Sequence, residues 1–193
     1  TGMHPWLRPA QAQVWSRSNN AIYGTYQRLF DVRTHGWANV QAVHVNLPLG
    51  TEEEGVAMMN AAALLVPYLP AFAASSPIHD GEIQSSVDNR MAHVLEHQQR
   101  LPASCGDIVP EPMTGYRQYR RDVFQPMYEA VDRLPDAASI RHEFLNARGA
   151  VIKFSRKSME VRVLDMQECV KMDVAISVLV RSALKGLAAA VLA

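Results

Sequence analysis

Four polar side chains on two short alternating segments are of the types that phosphoryl transfer uses. In Val40–Leu47, Val43 and Val45 point one way, and Ala42, His44 and Asn46 the other. In Met159–Leu164, Met159, Val161 and Val163 share one face, and Glu160, Arg162 and Leu164 the other. A carboxylate with an imidazole suits a divalent cation, and a guanidinium fork suits a phosphate or a carboxylate. If both segments are strands of one sheet, His44, Asn46, Glu160 and Arg162 gather on a single face. Such an arrangement fits phosphoryl transfer, which is catalysed mostly by positioning groups and neutralising charge. A half-exposed sheet carrying ordinary solvated residues gives the same alternation.

Other clusters are less specific. His93-Val-Leu-Glu96-His97 matches the H-x-x-E-H pattern of inverted zinc proteases, with both histidines on one side of a predicted helix. Only three of its five positions are fixed, and a polar helix surface continuing through Gln98, Gln99 and Arg100 explains it equally. Asp88 and Arg90 could bind a charged ligand or simply cap and decorate a helix start. Arg141 to Gly149 is dense in polar groups, and Gly149 permits close backbone approach; a solvated loop reads the same way. Arg117, Arg120 and Arg121 read as a solvated helix face, and the methionines as core. Cys169, expected to end a strand segment, and Cys105 read as structural thiols.

The elements that must position these groups follow from periodicity and breakers. Ser18 and Asn19 are candidate caps for a helix reaching Phe30. Pro48 and Gly50 end the first strand, and Thr51 with Glu54 has capping-box spacing for a buried helix to Leu65. Residues 73–81 read as a loop, 86–100 as a helix, 101–115 as a long connection and 116–133 as a helix. Strands are predicted at 150–154 and 159–164, joined as a hairpin, with a last helix over 172–192. Helices with a few antiparallel strands make the class α+β.

Composition narrows the function classes. The 193 residues suit one domain or part of a larger one, read here as a single unit, 1–193. Nineteen basic residues balance nineteen acidic ones, which removes the footprint expected of a nucleic-acid or anionic-membrane binder. Two cysteines are too few for a disulfide framework and fit a reducing cytoplasm. Arg181 and Lys185 interrupt the apolar stretch 174–193, which argues against a membrane span. No signal peptide is visible, and a start at Thr-Gly-Met-His-Pro suggests a chain entered mid-protein.

Five motifs in order then carry a resemblance: VHVNLP (43–48), AASSPIHDG (73–81), SSVDNR (85–90), EFLNARGAVIKF (143–154) and MEVRVLDMQEC (159–169). Together with the opening TGMHPW they resemble the carboxyl-terminal half of the carboxylate–amine ligase family related to glutamate–cysteine ligase, the type 2 gamma-glutamylcysteine synthetases. The resemblance implies a glutamine synthetase-like core, in part: an antiparallel sheet with helices packed on one face and the active site on the other. It implies ATP-dependent ligation, for glutathione biosynthesis, of the glutamate side-chain carboxylate to cysteine through an acyl phosphate, with Mg²⁺ screening the charge.

Position by position, the resemblance implies His44 and Glu160 as metal ligands, and Glu160 and Arg162 as catalytic groups, Arg162 aimed at the γ-phosphoryl group. It implies Asn46 and Arg90 as substrate-binding, and Arg148 and Arg156 as nucleotide contacts. The expected partners are amino acids, ATP, the amino-terminal half of the same protein and, as a possibility, a second copy of the chain. That amino-terminal half carries the family's glutamate-rich strand; Glu52–Glu54, the acidic run here, opens a helix and answers to its dipole. A ligase for a different carboxylate–amine pair, and a non-catalytic binding or oligomerisation domain keeping the fold, are the alternatives.

Overall fold

Thr51 sets the start of the best-defined helix. Its side chain accepts a hydrogen bond from Glu54 N, and the Glu54 carboxylate accepts one from Thr51 N, closing a capping box. The computed structural model that shows this describes residues 1–13 and 20–192. The caps expected at Ser18 and Asn19 lie outside the described residues.

Helix α1 spans Asn20–Phe30 and strand β1 Ala42–Pro48. Helix α2, Glu52–Leu65, runs from the capping box towards Pro67, and a short α3, Leu69–Ala73, follows. The expected loop 73–81 instead enters a small hairpin of β2 (Ile78–His79) and β3 (Glu82–Ile83). Its two turn residues, Asp80 and Gly81, both have positive φ, at 56° and 80°. An Asp-Gly pair is what a tight I′ hairpin turn selects.

Helix α4, Asn89–Gln98, starts three residues later than expected, because Asp88 accepts from Met91 N and caps it. The connection after it holds a one-turn helix, α5 (Pro102–Cys105). The long helix expected at 116–133 is present as α6 (Tyr116–Tyr119) and α7 (Gln125–Asp132), joined by a π turn over Arg120–Phe124. Pro126 has no N–H to donate to the previous turn and its ring crowds the carbonyl four residues back, so the backbone widens and Gln125 N bonds Arg120 O. Strands β4 (Ala150–Lys153) and β5 (Ser158–Asp165) form the expected hairpin, and α8 spans Val170–Leu192.

The sheet is antiparallel in the order β1-β5-β4. One register detail overturns an expectation. Val45 pairs with Val161 but Val43 with Leu164, so Arg162 and Val163 together oppose His44 in a β-bulge. The extra residue reverses the alternation beyond it. Leu164, expected beside Glu160 and Arg162, lies across from Val43 on the apolar face, and Asp165 takes the polar face opposite Ala42.

The apolar face is buried under helices. Met59, Ala61 and Ala62 of α2 and Ile176, Val180 and Leu184 of α8 share one core with Val45, Ile152, Met159, Val161 and Leu164. By length and composition α8 could cross a membrane; it lies along α2 and β1, with its outer residues Val174, Val178 and Leu179 exposed. Cys169 does not end a strand. It is exposed just before α8, where its carbonyl accepts from Met172 N and Asp173 N. The architecture is α+β.

Candidate functional site

The polar face of the sheet centres on Glu160. Asn46 and Val151 flank it in register on the two neighbouring strands, and Lys153 stands two residues beyond Val151 on the same face. Glu160 is 4% exposed. Its Oε2 accepts from Lys153 Nζ at 2.5 Å, and its Oε1 lies 3.4 Å from both His44 Nδ1 and Arg162 Nε. Oε1 has no well-formed hydrogen bond among the described residues.

Burial by itself would raise the Glu160 carboxyl. The His44 imidazole 3.4 Å away, the hydrogen bond from Lys153 and the charges of Arg162 and Lys153 outweigh it, and hold the group down at about 2. Two fixed cations therefore surround one fixed anion, leaving the spot net positive and suited to a further anionic group.

The bulge aims Arg162 into this spot. Arg162 N donates to Gly149 O at 2.8 Å, and its Nη1 donates to Asn146 O. Gly149 is required there, since a Cβ would lie 2.7 Å from Val66 Cγ1 and 2.8 Å from Val163 Cγ1. A cavity of about 220 Å³ beside the sheet is lined by His44, Arg90, Arg148 and Arg162, with Trp37 and Gln98.

Each expected site residue has a definite place. His44, Glu160 and Arg162 converge, and exposed Asn46 lies opposite Glu160 on the same face. Arg90 is buried and pairs through Nε with Asp165 Oδ1, while its Nη2 has no partner among the described residues. Arg148 reaches the cavity wall, but its fork is committed to Glu111, with both contacts at 2.6 Å. Arg156 stands apart in the β4–β5 turn, stacked 4.7 Å from the Phe144 ring; Lys153 Nζ is 5.0 Å from the same ring.

The H-x-x-E-H pair does not converge. His97 is buried against the Phe30 and Trp37 rings, at 5.8 and 5.7 Å, while His93 turns towards His79 and His35. Two polar-face residues escaped the sequence reading. Lys153 was legible in principle from the alternation Val151, Lys153, and Asp165 was hidden by the bulge.

Fold and site together define an α+β protein with a cationic, carboxylate-centred sheet face. The chain belongs to the glutamate-cysteine ligase family 2, whose family model matches residues 1–192, essentially its whole length. It is also similar to an uncharacterized protein of Archaeoglobus fulgidus, with 38% identity over 185 residues. Those residues are 96% of this chain and 50% of that protein, so the chain spans about half the length of the curated relative it matches.

Proposed function

We propose that this chain is the carboxyl-terminal half of an ATP-dependent carboxylate–amine ligase that joins the side-chain carboxylate of glutamate to cysteine. The observation that carries this reading is Glu160, buried and ionised between Lys153, Arg162 and His44 on the polar face. Within a glutamate–cysteine ligase family, that face suits a group that loses and gains phosphoryl charge.

In the proposed reaction a carboxylate oxygen attacks the γ-phosphorus of ATP, the bond to the bridging oxygen breaks and ADP leaves. The amine nitrogen then attacks the acyl carbon, the carbon–oxygen bond to phosphate breaks, and the amine proton passes to solvent. Arg162 is assigned to the equatorial oxygens of the transferring group, and Lys153 keeps Glu160 ionised and in place. Arg90 Nη2, buried with its hydrogen-bonding capacity unspent, is assigned to a substrate carboxylate, and Asn46 to the amino-acid substrate. Arg148 and Arg156 are assigned only to the nucleotide's outer contacts.

Glu160 Oε1 is an orphaned carboxylate oxygen and His44 Nδ1 is 3.4 Å from it, so these two atoms fit part of a Mg²⁺ shell. A Mg²⁺ ion takes about six ligands, so phosphates, water or residues outside this set would supply the others. When bound, such an ion neutralises phosphate charge.

The test is ADP release by the full-length protein with glutamate and a panel of amines. ADP release dependent on both glutamate and cysteine is expected, and none with any amine would overturn the reading. Arg162→Ala should lower kcat about a hundredfold or more, on the scale of losing a charge-stabilising donor. An unchanged kcat would remove Arg162 from the chemistry.

A further inference from the structure

A second cluster of chemistry-bearing side chains shares none of its residues with the Glu160 face. His35 comes from the turn after α1, His79 and Asp80 from the β2–β3 hairpin, and His93 from α4. The rings of His35 and His79 are 4.7 Å apart between centroids, and each is 5.0 Å from the ring of His93. We propose that His35, His79 and Asp80 bind a transition-metal dication of the zinc type, with His93 and Asn39 orienting the two imidazole ligands.

The ligand spacing supports it. Zinc bonds of about 2.0–2.2 Å place tetrahedral ligand atoms about 3.3 Å apart. Here Asp80 Oδ2 lies 2.9 Å from His35 Nε2 and 3.5 Å from His79 Nδ1, on either side of that value. One ligand atom from each of the three residues fits within a span of 4.8 Å. The hairpin turn that holds Asp80 at φ 56° fixes the carboxylate beside its neighbour His79, so the site is built by the backbone and not by long mobile side chains.

The remaining nitrogens are held as metal-bound imidazoles usually are. His35 Nδ1 is 3.1 Å from Asn39 Nδ2, and rotating that buried amide presents its unpartnered Oδ1 instead. His79 Nε2 is 3.3 Å from His93 Nε2, and His93 Nδ1 is 3.7 Å from Glu96 Oε2. His79 Nδ1 is buried and has no hydrogen bond among the described residues, which leaves its lone pair for an ion.

The donor set identifies the ion class. Two imidazoles and one carboxylate suit Zn²⁺, Cu²⁺ or Ni²⁺, whereas Mg²⁺ and Ca²⁺ take mainly oxygens. A cavity of about 420 Å³ lined by His35, His93, Glu96 and Arg100 opens on the His35 and His93 side of the cluster. The site shares no residue with the Glu160 face and does not rest on the ligase reading.

The test is zinc binding by the chelator-stripped full-length protein, without ATP or amino acid, measured by calorimetry and by metal analysis after gel filtration. One Zn²⁺ per chain is expected, with Co²⁺ giving the strong visible bands of a four-coordinate site. Asp80→Asn, which the turn tolerates, and His79→Ala should abolish tight binding, while Asn39→Ala and His93→Gln should weaken it roughly 10- to 100-fold. Circular dichroism and melting of the metal-free variants separate lost ligands from lost fold. A wild type without stoichiometric zinc, or a folded Asp80→Asn that binds as wild type does, overturns the proposal. So does loss of zinc on His97→Gln with retention in His79→Ala, which would return the metal to the H-x-x-E-H pair.

Discussion

Glu160 shows how a buried charge becomes a condition for folding. Its carboxyl is held at about 2, below an ordinary 4.5, so the stabilisation it brings is complete above about pH 4.5 and is lost as pH falls towards 2. That shift corresponds to about 3 kcal/mol. Urea unfolding across this window should show stability falling with pH in the wild type, and a flatter profile in Glu160→Gln. The Arg90–Asp165 pair is buried on both sides and makes a complementary case. Arg90→Met leaves Asp165 charged and unpaired, and should cost about 3–5 kcal/mol in urea unfolding; a second change, Asp165→Leu, should restore part of it.

At the scale of elements, the placement of the chemistry depends on local devices. The Thr51 box starts α2, and Thr51→Ala should lower stability by about 1 kcal/mol, read as a shift in the urea midpoint at unchanged slope. This box, the alternation of β1 and the β4–β5 hairpin were legible because each is encoded within a few neighbouring residues. The bulge at Arg162 and Val163 was not. A strand carries no local mark of where its partner will slip by one residue, so Leu164 was assigned to the wrong face and Asp165 was passed over. The histidine cluster was hidden for the same reason, since His35, His79 and His93 are distant in sequence and only the packing of α1's turn, the hairpin and α4 brings them together.

For the whole molecule, the chain covers half of its Archaeoglobus relative, and the polar face offers two carboxylates among the described residues, Glu160 beside His44, Lys153 and Arg162, and Asp165 already paired with Arg90. On the proposed ligase reading, residues 1–193 expressed alone should release no ADP with glutamate and cysteine in a coupled assay, while the full-length protein should. Turnover by the segment alone would show that these residues suffice. The sequence by itself determined the α+β class, the order of the main helices and of strands β1, β4 and β5, and most of the groups on the polar strands, because periodicity, caps and breakers act over short range. Only the tertiary structure decided which of those groups meet. It paired Glu160 with Lys153, closed Arg90 onto Asp165, parted His93 from His97 and gathered His93 with His35 and His79. Each of these depends on register and on the docking of distant segments, which many weak contacts fix together and no short stretch of chain specifies.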